Sequence, residues 1–141
     1  MKRYSLSKSE RLSSEKAILK IFTEGYSLFN YPIRLVFLSV QDGLMMSSAQ
    51  AAFSVPKKRF KHAVKRNLLK RRMREAYRLI KPQIYDELTQ MNKKVTFMLI
   101  YAGSEETTFP VISSAVQHVL ADMIKRLRNE KSANRLIDSS H

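Results

Sequence analysis

Between Lys57 and Lys81 the chain carries twelve Lys or Arg side chains and a single acid, Glu75. That window holds +11 of a net charge of +14, so the remaining residues are close to balanced. A block of like charge this dense repels itself unless a polyanion neutralises it, and nucleic acid is the commonest large polyanion. On a helical wheel of about 100° per residue, Arg66, Lys70, Arg74 and Arg78 fall in line at i+4 spacing, with Asn67 and Arg71 beside them. Leu69, Met73, Ala76, Tyr77 and Ile80 occupy a largely separate arc. A helix here would dock its apolar side and present a cationic row outward. Guanidinium groups grip two phosphate oxygens at once, and Asn67 adds a donor and an acceptor for sugar or base edges. An ordinary solvated face would interleave bases with acids at i,i+4, whereas only Glu75 interrupts this one.

Other chemistries find little support. His62, His118 and His141 lack ligand-like spacing, so no metal site and no catalytic residue is expected in the chain. Asp86-Glu87 and Glu105-Glu106 are adjacent pairs whose members point different ways, and they read as solvated surface. Three glycines and no G-x-x-x-x-G-K or G-x-G-x-x-G argue against a glycine-built nucleotide loop. Zero Cys removes disulfides and thiolate chemistry and fits a reducing compartment. No apolar run approaches the ~18 residues of a membrane span, and Met1 to Arg11 lacks the apolar core of a signal peptide. The expectation is a soluble, cytoplasmic protein without membrane association. A basic-zipper DNA binder would need heptads continuing from Arg74, where Pro82 breaks the phase. A structural ribosomal protein would use the same cationic helix and is the surviving rival.

The elements that must position this row follow from periodicity. The 141 residues read as one domain with a core over about residues 12–129 and flexible ends. A first helix is expected over about Ser14 to Glu24, capped by Ser13 or Ser14, with Ala17, Ile18, Ile21 and Phe22 apolar and Gly25 as a left-handed terminator. Ile33 to Val40 and Ala49 to Val55 read as an antiparallel hairpin turning at Gln41-Asp42-Gly43, with a further broken strand around Leu44 to Ser47 left open. The basic helix is expected over Lys61 to Ile80 and weakened or ended at Lys81-Pro82, with another turn or two over Gln83 to Met91 left open. Val95 to Tyr101 is an uncharged, buried-looking strand, and Val111 to Asn129 a last amphipathic helix. The class is α+β, a small α-β-β-β-α-β-α sandwich with helices covering one face of a mixed sheet.

Phe53-Ser54-Val55-Pro56-Lys57-Lys58, then Ala63-Val64-Lys65-Arg66-Asn67, Lys70-Arg71, Arg74-Glu75 and Arg78, resemble the signature of the bacterial ribonuclease P protein subunit. That signature couples a strand ending V-x-K-K to a helix carrying A-V-x-R-N-x-x-K-R-x-x-R-E. The resemblance spans roughly Leu12 to Leu127. Two glycines usual in the family are absent here. Arg59 to His62 fill a longer loop ahead of the helix, and Ala52-Phe53 precede Ser-Val.

The resemblance implies a protein that assists an RNA enzyme, binding the catalytic RNA and the 5′ leader of precursor tRNA while the leader is removed. The catalytic centre and its Mg²⁺ would belong to the RNA, and the protein would act as a monomer in the complex without a protein partner. It also implies a left-handed crossover through the basic helix, against the usual hand. Lys57, Lys58, Lys61, Arg66, Asn67, Lys70, Arg71, Arg74 and Arg78 would contact RNA. A cleft between the first helix and the sheet would take the unpaired leader through Ile18, Phe22, Arg34 and Val36. Ile18 and Phe22 lie one helical turn apart, and Arg34 and Val36 share a strand face. Pattern alone reads Ile18 and Phe22 as core, and an outward, solvated Arg34 is equally simple.

Overall fold

The computed structural model describes residues 6–40, 45 and 47–140, with side chains as far as Glu130. Its elements are a short 3-10 turn (Lys8–Glu10), α1 (Glu15–Glu24), β1 (Tyr26–Asn30), β2 (Ile33–Val40), β3 (Ala49–Ser54), α2 (Ala63–Met91), β4 (Lys94–Tyr101) and α3 (Phe109–Ser140). The sheet order is β1-β2-β4-β3. β4 runs antiparallel to β2 and parallel to β3, so α2 is the crossover between two parallel neighbours. This is the α+β class expected. Among the described residues no helix is long and apolar enough to cross a membrane.

Register divides the sheet into two faces. Ile33, Leu35 and Phe37 of β2 stand opposite Tyr101, Leu99 and Phe97 of β4, and all six are fully buried beneath α2 and α3. The apolar stripe of α2 (Leu69, Met73, Ala76, Tyr77, Ile84, Leu88, Met91) and that of α3 (Ile112 to Leu127) close this core. Arg34, Val36 and Leu38 point the other way, paired with Ile100, Met98 and Thr96. Part of that second face is covered by α1, which buries Ile21 against Leu12 and Val36. The expectation of helices on one face is therefore corrected: α1 makes a layer of its own.

Four further expectations change. β2 and β3 are not a hairpin. The hairpin is β1–β2, turning at Tyr31-Pro32, while β3 pairs with β4. The third early strand thus precedes Ile33: Met45 and Ser47 are not in a strand, and the turn residues 41–43, with Leu44 and Met46, lie outside the described residues. Second, α2 runs unbroken through Pro82 to Met91. A proline inside a helix costs about 3 kcal/mol. Burying Ile84, Leu88 and Met91 returns roughly 1.5–3 kcal/mol each, so the longer helix wins. It ends where Asn92 takes the left-handed conformation at φ 54°.

Third, Gly25 is extended, with φ −84° and ψ −177°. Its role is close approach: a Cβ there would lie 2.5 Å from the carbonyl oxygens of both Ile21 and Phe37. Ser14 does cap α1, accepting from the Ala17 amide at 3.2 Å. Fourth, the segment ahead of α1 is docked. The Leu12 amide donates to the Ala51 carbonyl at 3.0 Å, and Ser47 Oγ and Gln50 Nε2 both reach the Ser9 carbonyl. Glu10 accepts from Lys81 Nζ at 2.9 Å and from Tyr85 at 2.6 Å. This strap lies along β3, one edge of the sheet. At the other end α3 extends past Asn129 to Ser140.

Candidate nucleic-acid interface

β3 delivers the chain to Pro56, and the residues that follow make a tight cationic loop. The amides of Arg59 and Phe60 both donate to the Pro56 carbonyl at 3.3 Å. Phe60 is buried edge-on to Tyr101, their ring centroids 5.5 Å apart. Pinned at that point, the loop leaves Lys57, Lys58, Arg59 and Lys61 exposed. α2 then starts at Ala63 and continues the charge along its outer side, where Asn67, Arg71 and Arg74 are exposed and Lys70 is half-buried. The Arg74 guanidinium lies 5.8 Å from the Phe53 ring, which tethers its stem to β3 while its charge faces out.

The twelve cations of the window do not behave alike. Arg78 grips Glu75 with two hydrogen bonds of 2.9 and 2.6 Å and holds that carboxyl below its ordinary range. On the far flank of α2, Lys65 and Arg72 close on Glu106 at 2.6 and 2.9 Å, and Arg72 also donates to the Thr107 carbonyl. Hydrogen bonds from Lys65 and Arg72 hold the Glu106 carboxyl below its usual range. Tyr101, its phenol pushed up by burial, fixes the same loop from beneath through the Glu105 carbonyl and Thr107 Oγ1. Glu106 and Glu87, the latter paired with Arg128 at 2.6 Å, are thus ion-pair partners and not free solvated acids. Lys81 is drawn off by Glu10.

Arg66, expected in the outward row, instead donates from Nη1 to the carbonyls of Phe60 and Lys61, both at 2.8 Å. With these five engaged, Lys57, Lys58, Arg59, Lys61, Lys70, Arg71 and Arg74 form no ion pair with the described residues. They make one continuous surface from the loop along the first half of α2.

The sheet's second face carries the other expected set. Arg34 is exposed, donates to Ser27 Oγ at 3.1 Å and lies 5.1 Å from the Phe29 ring centroid. Phe22 and Phe29 are 53% and 52% exposed, too open for core residues. Ile18 is half-buried at the rim of α1, and Val36 is buried at the floor. Ile21 takes the core position instead. Ser27 and Phe29, absent from the expected set, join it through β1, whose pairing with β2 sets them opposite Val36 and Arg34. The signal there is weak, an aromatic-rich run Tyr26-Ser27-Leu28-Phe29-Asn30 ahead of Pro32 in which adjacent Leu28 and Phe29 break strict alternation. Phe53 faces α2, whereas Ala52 and Ser54 face this cleft, so the two surfaces meet at β3. Among the described residues no group of three or more His, Asp or Glu is gathered closely enough to hold a metal ion.

Comparison with known proteins places this architecture. The model of the family described as Ribonuclease P matches residues 6–124. A ribonuclease P protein component from Porphyromonas gingivalis is 38% identical over 117 residues, covering 83% of this chain and 85% of that one. The solved RNase P protein of Staphylococcus aureus superposes with a TM-score of 0.67 at 22% identity, over 82% of this chain and 96% of that one, and so speaks to the fold alone. The RNase P protein of Thermotoga maritima gives a TM-score of 0.63 at 28% identity, covering 79% and 94%.

Proposed function

The chain belongs to the ribonuclease P protein family, and from that premise we propose that its cationic loop and helix bind the catalytic RNA while its sheet cleft holds the 5′ leader of precursor tRNA. It is the protein component of an endoribonuclease that matures the tRNA 5′ end, and ribonuclease P RNA is its partner. The observation that carries the assignment of surfaces is the set of seven basic side chains between Lys57 and Arg74 that have no acid partner among the described residues. Phosphates of the RNA would complete those contacts, with Asn67 available to a sugar or base edge. The sole carboxylate in the basic window, Glu75, is already held by Arg78. That surface does not fit a divalent ion, so the reading gives Mg²⁺ and the catalytic centre to the RNA, and neutralising converging phosphates lowers the free Mg²⁺ the RNA needs.

In the cleft, Phe22, Phe29 and the Arg34 guanidinium offer flat faces to unpaired bases. Stacking of this kind is worth roughly 1–3 kcal/mol per base and tolerates any sequence. Tolerance suits an enzyme whose precursors differ in their leaders. The protein acts in this reading as a cytoplasmic monomer.

The test is cleavage of a 5′-extended precursor tRNA by bacterial ribonuclease P RNA at low Mg²⁺, with and without the protein, beside a protein-only control. Strong stimulation at the mature 5′ end with a silent control is expected. Tight RNA binding without stimulation would instead favour a structural RNA-binding role.

A further inference from the structure

Arg66 stands first in the helix row, yet its side chain turns back along the chain to the loop. Nη1 carries two hydrogens, and one goes to each of two successive carbonyls, Phe60 and Lys61. The same loop is held at its base by the Arg59 and Phe60 amides on the Pro56 carbonyl, and from below by the buried Phe60 ring against Tyr101. Between these anchors stand Lys57, Lys58, Arg59 and Lys61, all exposed. Four like charges in five residues would drive an untethered loop apart.

We propose that Arg66 is a positioning residue, holding the Lys57–Lys61 loop in the free protein as a preformed cationic edge continuous with Lys70, Arg71 and Arg74. The inference rests on the reading of this face as the RNA surface. Ordering a loop residue costs backbone conformational entropy. A loop ordered before binding leaves more of its phosphate contact energy as affinity. Charge-assisted bonds to two carbonyls suit the task, because each is stronger than a neutral one and both come from one planar group.

The test compares the parent with R66A, each with and without K57A/K58A. In the free protein, exchange of the Arg59 and Phe60 amides should accelerate about tenfold or more in R66A, while amides in the middle of α2 keep their protection. R66K keeps the charge on the helix but loses the planar fork, and it should accelerate the same two amides; it serves if R66A folds poorly. With ribonuclease P RNA, K57A/K58A should weaken the parent by about tenfold or more and R66A by about threefold or less. Unchanged loop exchange in both variants, or losses that simply add, would overturn the proposal and leave Arg66 a plain phosphate contact. A parent that binds no RNA would overturn it through the reading of the face, and the exchange data, which need no RNA, separate that failure from the other.

Discussion

On α2 and the loop before it, the cations occupy one stretch of chain from Lys57 to Arg74; on the opposite face of the sheet, Phe22, Ser27, Phe29 and Arg34 come from three elements, α1, β1 and β2. The first surface is charge without aromatic faces. The second has two half-exposed phenylalanines and a single guanidinium. The difference matters for what each can recognise. A row of cations follows a phosphate backbone and is screened by salt, whereas a stacked base is held by contact and desolvation and is nearly indifferent to salt. The proposed division of labour between a folded RNA and an unpaired leader rests on that physics.

Salt gives the largest expected effect. If six to ten phosphates are engaged, affinity for the catalytic RNA should fall by about three to five decades between 50 and 200 mM salt. The additional affinity that a leader confers on a precursor, measured against mature tRNA in the assembled enzyme, should hardly change over the same range. A leader effect as steep as the RNA effect would break the comparison.

Next come the cations one at a time. Arg71→Ala should cost about 1–3 kcal/mol in RNA binding and reduce the salt slope by about one. Arg78→Ala, whose guanidinium is already gripped by Glu75, should cost less, about 0–1 kcal/mol. Equal losses at the two positions, read by filter binding or fluorescence titration, would mean that the internal ion pair does not sort the row.

Phe29→Ala sharpens the contrast from the other side. It should weaken binding of a leader-bearing precursor towards the lower end of roughly 1–3 kcal/mol, leave mature tRNA unaffected, and keep its effect as salt rises. Phe22→Ala should behave likewise. A loss that appears with mature tRNA as well would move these rings out of the leader cleft.

How far the sequence discloses each surface follows from how each is built. The cationic row obeys a helical period within α2, so residue types and spacing suffice to draw it, and the apolar stripe Leu69, Met73, Ala76 and Tyr77 is buried as the same wheel requires. The cleft depends on register. Phe29 meets Arg34 only because β1 pairs with β2 through a turn at Tyr31-Pro32, and a five-residue strand with three of its side chains exposed and none buried carries a weak signal. Gly25 misled for a related reason: its need is set by a carbonyl of β2, twelve residues on, and not by its own dihedral angles. Pairing of cations with distant acids was equally hidden. Glu106 reaches Lys65 and Arg72 from a loop, and Glu10 reaches Lys81 from the strap, so a charge count along α2 overstates the free charge.

Glu10 gives the smallest of these effects and tests the boundary between the two surfaces, since its strap runs along β3 where they meet. Burial opposes its ionisation, but hydrogen bonds from Tyr85, Lys81 and Ser7 outweigh that and lower its pKa from 4.5 to about 2. A carboxylate whose pKa is depressed in the folded state adds stability above its unfolded pKa and loses it as pH falls through the folded one. The strap's contribution should therefore be complete above about pH 5 and fade towards pH 2. Glu10→Gln should cost about 1 kcal/mol at neutral pH, discounted for partial exposure, with the gap to the parent closing on acidification. Other carboxylates titrate in the same range, so the difference between the two thermal-unfolding curves, and not either alone, isolates Glu10. Parallel curves from pH 7 down to 3 would show that the node of Glu10, Lys81 and Tyr85 does not anchor the strap. The substitution also returns Lys81 to the helix surface, and RNA binding at low salt should then tighten by no more than about threefold with no change in the leader effect. Should the leader effect change instead, the strap belongs to the cleft and the two surfaces are not independent.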